Sequence, residues 1–589
     1  MSRDQIILFT LFALVFIALI SGRWRYDAVA FTALLAGVLL GVVPAASAFE
    51  GFGHPATLVV ALVLVVSAGL TRAGVVLMIT RRFIKPGRGM GGHIVMMGAI
   101  GGVLSAFMNN VAALAILMPV DVSTARQQGR APGRTLMPLS FATILGGMVT
   151  LIGTPPNIII AAIRQDSLGQ PFSMFDFAPV GGVVALTGLI FVALIGWRLI
   201  PQREEQEARA EVAAFVAELV ISESSSIAGK PISAFLEEAD RAGAFLVAVT
   251  RDGRTRQTLS KDLEMQPGDV LRLEAGSEAL DALRAGLDLD FADQRRKHYL
   301  EAEKAGLVLV QAAVPAGARI VGKSAESVGL IWRRGTVLMG ISRQGRVVTG
   351  PLRKAVIHTG DVLLLLAPND SAARVINWLG CLPMAEGNLP LTRRDHTAGA
   401  ITIFVLAVIA ASFGLVDLPV ALGCVVAGYV GYRILPLAEV YDQIEWPVIV
   451  LLGSMIPLGA ALETSGGTSL IASGILTLSA GAPAWVAVGL LMVVTMSLSD
   501  VLNNTATAIV AAPVGIAMAD ALGASPDPFL MAVAVAASCA FLTPIGHKNN
   551  MLILGPGQYR FGDYWRMGLP LEALVIATGL PAILFFWPL

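Results

Sequence analysis

The sequence predicts an all-α polytopic membrane protein. Two inverted repeats, each of five transmembrane helices plus one re-entrant hairpin, flank two small inserted α+β domains. Three observations predict it. Of 589 residues 55% are hydrophobic and only 14% charged, against about 25% charged in an ordinary soluble domain, and the mean hydropathy is +0.72. Most of the charges fall between Pro201 and Asp395, as expected for a soluble module set into a membrane protein. Landmarks on either side of that module recur in the same order. The zero net charge argues against a nucleic-acid partner.

A bilayer-crossing helix needs about 20 apolar residues. Suitable runs occupy 5–21, 27–43, 56–71, 93–119, 135–163 and 178–199, then 397–415, 418–435, 447–462, 483–517, 528–556 and 568–588. A second apolar run follows the first at once, with no small-residue cleavage site between them, so the first reads as a retained span. Lys and Arg in short loops mark the cytoplasmic side. Arg23 and Arg25 mark the first loop. Arg72, Arg81, Arg82, Lys85 and Arg88 precede the run 93–119, and Arg126, Arg130 and Arg134 follow it. Basic clusters on both flanks fit a hairpin that enters and leaves from the cytoplasm. No Lys or Arg occurs between Arg433 and Lys548, so the matching run 483–517 reads as a hairpin from outside. Five crossing helices per half then set the halves in opposite orientation, with both termini outside. The insert, beside Arg198, Arg203, Arg393 and Arg394, falls in the cytoplasm, and only Arg164 sits on the wrong side.

The repeat supports the same division. Pro44 precedes Pro55 by 11 residues and Pro436 precedes Pro447 by 11; Gly74 and Gly466 follow those second prolines by 19. Pro119 follows Asn110 by 9, and Pro513 follows Asn504 by 9. Phe141–Asn157 is echoed by Phe541–Asn549, with Thr154-Pro155 set against Thr543-Pro544. The insert repeats as well. Gly229-Lys230 recurs as Gly322-Lys323, Asp252-Gly253-Arg254 as Gln344-Gly345-Arg346, and Gly268-Asp269-Val270-Leu271 as Gly360-Asp361-Val362-Leu363. Strands such as 245–249 and 337–341, punctuated by turns, give two small domains. The expected domains are 1–200, 201–300, 301–395 and 396–589. Without a GxGxxG after a strand or a P-loop, a dinucleotide-binding domain or an ATPase is excluded as the reading of the insert, and no enzyme is expected. Cys381, Cys424 and Cys539 lie too far apart for a metal or disulfide pattern and read as packing residues.

Irregular backbone at membrane depth is tolerated only where it lines a cavity or site. Four breaks qualify: the tips Met108-Asn109-Asn110 and Leu502-Asn503-Asn504-Thr505, and the unwound stretches 153–157 and 543–550. Each supplies carbonyls suited to Na+ and helix N-termini suited to an anion. Asparagine adds both a donor and an acceptor. The substrate-binding candidates are Asn109, Asn110, Asn503, Asn504, Thr505, Thr154, Pro155, Thr543 and Pro544. The Na+ candidates are Asn110, Gly153 and Asn157 in the first half and Asn504, Gly546 and Asn549 in the second. Capping or gluing helices is the competing role for any one of them. Asp500 and Lys548 are candidates for coupling, since an ionisable residue in a span is a functional hypothesis by default. The alternatives are a carboxyl that braces the hairpin backbone and a lysine that orients its span, with His547 beside it.

On these motifs the chain resembles the divalent anion/sodium symporter family, over both membrane halves. That family carries Ser-Asn-Thr at each hairpin tip and a Thr-Pro break in the following span. Here Asn110 matches in the first tip, Asn504 and Thr505 match in the second, and Gly153-Thr154-Pro155-Pro156-Asn157 matches the first break. The second break keeps Thr543-Pro544 and then diverges. The insert resembles paired TrkA-C-type ligand-sensing domains. The resemblance implies a homodimer in a bacterial inner membrane, no cofactor beyond Na+ as coupling ion, and a small divalent anion, sulfate or a dicarboxylate, as cargo. It also implies a nucleotide as one ligand class for the insert, with a plain dimerisation platform as the alternative. Two other functions remain open from the residues: a cation/proton antiporter working through Asp500, and a solute sensor signalling through the insert.

Overall fold

The computed structural model describes every residue except 22–23, 76–77, 79–88, 129, 202–214, 243, 252–253, 257–262, 276–279, 281–282, 285, 292–306, 315–317, 331–335, 344–345, 349–353, 369–371, 384–396 and 479–481. Arg23, Arg81, Arg82, Lys85, Arg88, Arg203, Arg393, Arg394, Asp252-Gly253 and Gln344-Gly345 therefore lie outside the described residues, as does the side chain of Arg126. The chain forms two compact units. One holds Met1–Pro201, Leu391–Ile553 and Tyr559–Leu589; the other holds Gln202–Pro390 and Leu554–Gln558.

The first unit is helical. Its helices are α1 (Arg3–Ser21), α2 (Tyr26–Leu39), α3 (Pro55–Arg72), α4 (Met90–Phe107), α5 (Asn110–Gln127), α6 (Gly133–Gly147), α7 (Pro155–Leu168) and α8 (Ala178–Phe191). After the insert come α9 (Thr397–Ser412), α10 (Leu418–Gly431), α11 (Trp446–Thr464), α12 (Gly467–Leu478), α13 (Ala484–Ser499) and α14 (Asn504–Leu522). The last three are α15 (Pro526–Ser538), α16 (Lys548–Leu554) and α17 (Tyr564–Phe586). Six described helical stretches are long and apolar enough to cross a bilayer: Pro55–Arg72, Met90–Phe107, Ala178–Leu199, Trp446–Thr464, Asn504–Leu522 and Phe561–Phe586. The chain is a multi-pass membrane protein. Two of the six are arms of the expected hairpins, so length alone does not set a hairpin arm apart from a crossing helix. The expected list of runs omitted α12. Its hydroxyls (Thr468, Ser469, Ser473 and Thr477) dilute the apolar pattern that marks a span.

The repeated landmarks fall on equivalent points of the helices. Pro55 and Pro447 sit in the first turns of α3 and α11, where a missing N–H costs nothing. Gly74 and Gly466 end those helices with φ of 79° and 73°, the left-handed conformation that favours glycine. Pro119 and Pro513 lie inside α5 and α14. The helices α4 and α5 pack on α6 as α13 and α14 pack on α15.

The second unit carries two five-stranded antiparallel sheets. The first, in order β3-β2-β4-β1-β5, uses β1 (Phe215–Ile221), β2 (Phe245–Arg251), β3 (Arg254–Arg256), β4 (Val270–Ala275) and β5 (Leu289–Phe291). The second, in order β10-β6-β9-β7-β8, uses β6 (Leu307–Ala313), β7 (Val337–Arg343), β8 (Arg346–Val347), β9 (Asp361–Pro368) and β10 (Leu382–Pro383). Strand for strand the order is the same, and the hydrogen bonds repeat. Arg251 grips buried Asp269 at 2.7 and 2.6 Å, and Arg343 grips buried Asp361 at 2.8 Å twice. Each arginine also donates to a carbonyl, that of Glu264 or of Val356. Leu363 and Leu365 of β9 enter the second sheet's own core, while Val362, Leu364 and Leu366 join the core of the first. Burial on both faces accounts for the unbroken apolar run of that strand.

Cys381 is buried beside β10, and that burial pushes its thiol up to about 12. Its reactive thiolate is therefore scarce at every pH below that value. In a Cys424→Ser/Cys539→Ser background, maleimide is expected to leave the native insert unlabelled at pH 8 and to react once denaturant is added. Rapid labelling of the native protein would contradict the burial.

Candidate functional site

The first tip forms where α4 stops at Phe107 and Met108 turns extended, with φ −144° and ψ 164°. Asn109 Oδ1 accepts the Val111 N–H at 2.8 Å and so begins α5. The Asn109 N–H donates to Ser67 Oγ of α3 at 3.3 Å. Asn110 is buried, and its Oδ1 accepts a hydrogen bond from Ser105 Oγ on the preceding arm. Gly147 closes over it: a Cβ there would stand 2.9 Å from Asn110 Nδ2 and closer still to Oδ1. Gly153 in turn lies against the Gly147 backbone, with no room for a side chain.

The following break runs between α6 and α7. Thr150 Oγ1 donates to the Ala106 carbonyl, tying the break to the hairpin arm. Asn157 Nδ2 donates to the carbonyls of Thr150, at 2.9 Å, and Met148, at 3.3 Å. Asn157 thus holds the break in shape through its amide nitrogen. Pro155 opens α7.

The second tip is built likewise. Asn503 Oδ1 accepts the Thr505 N–H at 2.9 Å, and Asn504 Oδ1 accepts it at 2.8 Å, with Thr505 Oγ1 3.4 Å away. Thr543 Oγ1 donates to the Asp500 carbonyl at 2.6 Å and accepts from the N–H groups of Ile545 and Gly546. Asn550 Nδ2 donates to the carbonyls of Ala540, at 2.8 Å, and Thr543, at 3.2 Å. Gly546 packs on the carbonyls of Ser499 and Asp500.

Comparing these bonds fixes the register between the halves. A shift of 393 residues carries Thr150 to Thr543 and Asn157 to Asn550, each pair with the same bonds. Thr154-Pro155 then corresponds to His547-Lys548. The sequence match of Thr154-Pro155 to Thr543-Pro544 is corrected by four residues, because Thr543 braces its hairpin while Thr154 starts a helix.

Asn549 also departs from the expected grouping. It begins α16 in the second half, yet its Nδ2 donates to Thr143 Oγ1 at 2.9 Å and to the Asn110 carbonyl at 3.3 Å. Beside it, Ser140 Oγ donates to Asn550 Oδ1 at 3.0 Å. The rings of Phe141 and Phe541 meet at 4.7 Å, so α6 is clamped to the second break. Asn110, Thr143 and Asn549 form one cluster, next to the Gly147–Gly153 contact. Two buried oxygens at the breaks, Thr154 Oγ1 in the first half and Asn549 Oδ1 in the cluster, have no hydrogen-bond partner in the protein. Such atoms cost about 1–3 kcal/mol unless a ligand completes them. A hard cation seeks oxygens of this kind.

Asp500 and Lys548 separate from the cluster. Asp500 Oδ1 accepts the Leu542 N–H at 2.9 Å, and Glu572 Oε1 of α17 accepts the neighbouring Phe541 N–H at 3.4 Å. Two buried carboxyls thus hold two successive amides where α15 unwinds. Lys548 is half-buried and pairs with Glu445, ahead of α11, rather than facing either tip. His547 Nδ1 accepts the Asn549 N–H at 3.1 Å and starts α16. Ser105, Ser140, Thr143, Thr150 and Glu572 were not foreseen, and Asn550 was foreseen only as the end of the second break. Glu572, an acid inside the run 568–588, carried the same signal as Asp500.

A bundle of apolar helices interrupted at matched points, with asparagine amides and unpaired buried oxygens at the interruptions, is the construction of a membrane transporter for a small hydrophilic solute. The citrate transporter family matches residues 16–524 and 480–589, and the chain belongs to that family. It is 31% identical over 571 residues to an uncharacterized transporter, sll0640, of Synechocystis, covering 94% of this chain and 93% of that protein. It is 28% identical over 627 residues to the uncharacterized transporter YfbS of Escherichia coli, covering all of both. It is 26% identical to sodium/sulfate cotransporter 1 of Chlamydomonas reinhardtii, over 62% of this chain and 44% of that protein. The chain is a transporter and not an enzyme.

Proposed function

We propose that the chain couples Na+ to uptake of a small divalent anion, sulfate or a dicarboxylate. The observation that carries this reading is two unpartnered buried oxygens, Asn549 Oδ1 beside the Asn110 tip and Thr154 Oγ1 at the first break. They suit Na+, while the N-terminal end of α5 suits an anion. The likeness to a sodium/sulfate cotransporter supports the same pairing, and the family's description supports a carboxylate as the other anion class. In this reading the halves are inverted repeats with both termini outside a bacterial inner membrane. The second hairpin, with Asn503, Asn504 and Thr505, contributes to the same transport path. The domains over 201–300 and 301–395 are TrkA-C-like regulators, with a nucleotide as one ligand class, and the protein works as a homodimer.

The test is uptake of labelled sulfate and labelled succinate into proteoliposomes, with and without an inward Na+ gradient. At least one anion is expected to enter several-fold faster with the gradient. Uptake of both at rates indifferent to Na+ would remove the coupling ion from the proposal. Absence of uptake for either would remove the cargo.

A further inference from the structure

Away from both tips, three buried side chains meet at the far end of the first hairpin. His93 Nε2 on α4 lies 2.6 Å from Asp121 Oδ1 on α5. Thr135 Oγ1 on α6 donates to Asp121 Oδ2 at 2.5 Å. The other ion pairs of the membrane unit that are described reach solvent or a lipid-facing surface on at least one side, whereas the His93 and Asp121 side chains are 3% and 0% exposed. A buried pair of this kind is weak evidence for stability, because desolvation offsets much of the attraction. Histidine is the side chain whose charge changes near neutral pH.

We propose that His93, Asp121 and Thr135 form a proton-binding site that governs how firmly the first hairpin is held to α6. An ionised Asp121 only accepts, so Nε2 carries a hydrogen toward it and Nδ1 is the atom that gains or loses the proton. The bond to Asp121 then changes between a charge-assisted and a neutral one. The position gives that change mechanical reach. Pro119 lies two residues before Asp121 inside the continuous helix α5, where it removes one backbone hydrogen bond and weakens the arm locally. Thr143, which holds Asn549, lies eight residues beyond Thr135 on α6, about 12 Å along the same helix, with Pro138 between them.

Among the described residues the surrounding charges are few. The helix α4 carries no other ionisable group, α5 only Asp121 and Arg126, and α6 only Arg134, which lies over the Trp197 ring at 5.6 Å. The helix α8 and the π turn after it carry none, and Arg198 lies over the same Trp197 ring at 4.7 Å. Arg72 of α3 is engaged by Glu439. Arg130 lies in the α5–α6 connection. At the start of α6 the Tyr559 hydroxyl donates to the Gly133 carbonyl and accepts from the Met137 N–H at 2.8 Å, with Asp563 close by.

The experiment measures thermal unfolding of the purified full chain at intervals from pH 5.5 to 8.5, which needs no knowledge of the cargo. The native protein is expected to show an inflection in melting temperature that disappears in His93→Gln. In Thr135→Val, which keeps both titrating groups, the inflection is expected to move to a different pH. Where anion uptake is measurable, its pH profile is expected to flatten in His93→Gln while stimulation by Na+ persists. A native protein without an inflection, or an identical inflection in His93→Gln and Thr135→Val, overturns the proposal. If His93→Gln fails to fold, Thr135→Val alone decides: an unmoved inflection overturns it. Failure of sulfate or succinate uptake would count against the cargo and leave the melting result to judge the proton site.

Discussion

Asn549→Ala is expected to lower anion uptake roughly 5- to 150-fold while leaving a folded protein. The substitution removes two donated hydrogen bonds, to Thr143 Oγ1 and to the Asn110 carbonyl, and the unpartnered Oδ1 as well. Losing buried bonds of this sort costs about 1–3 kcal/mol, and each 1.4 kcal/mol is about tenfold in an equilibrium. The loss falls on the contact between the second break and the first tip, not on either helix alone. Asn550→Ala is the comparison. Its amide ties two carbonyls of its own break, so its main effect is expected on melting temperature. Initial uptake rates per reconstituted protein, with gel filtration as the check on folding, decide the matter. Asn549→Ala uptake within twofold of the native rate would show that the crossing contact is dispensable.

Gly147→Ala should be at least as damaging, although it deletes no functional atom. The added methyl would stand 2.9 Å from Asn110 Nδ2 and nearer to Oδ1, both on a side chain already held by Ser105. Real side chains do not approach so closely, so Asn110 must shift by something near an ångström. A displacement of that size in a preorganised polar site costs on the order of 100-fold. Gly182→Ala is the control, since a Cβ there meets nothing within 4 Å. Normal uptake in Gly147→Ala would mean that the position of the Asn110 amide does not matter to the solute.

Much of this was legible in the sequence because it is local. The tips announce themselves as paired asparagines inside apolar runs, and the structure breaks its helices at those points. The proline and glycine landmarks were legible because they recur at fixed spacing, and they fall at equivalent points of the helices. What was hidden depends on the fold. Asn549 finds Asn110 across 439 residues of sequence, and no periodicity reports such a meeting. Thr150 looked like any threonine in an apolar helix, while Thr154-Pro155 drew attention as a motif, yet Thr150 is the residue that ties the break to the hairpin. His93 and Asp121 lay at the edges of an apolar run, where a titratable residue is easily read as loop.

The register of 393 residues places Pro156 opposite Asn549. Proline has no side-chain amide, so a reciprocal crossing from the first half into the second cannot form. Descent from two identical segments would have begun with this contact either twice or not at all. A chimera joining two copies of the first half would carry proline at both positions and lose the strut, whereas two copies of the second would carry it twice. On this register the two segments agree at Thr150 and Thr543 and at Asn157 and Asn550, yet they are not interchangeable at Pro156 and Asn549.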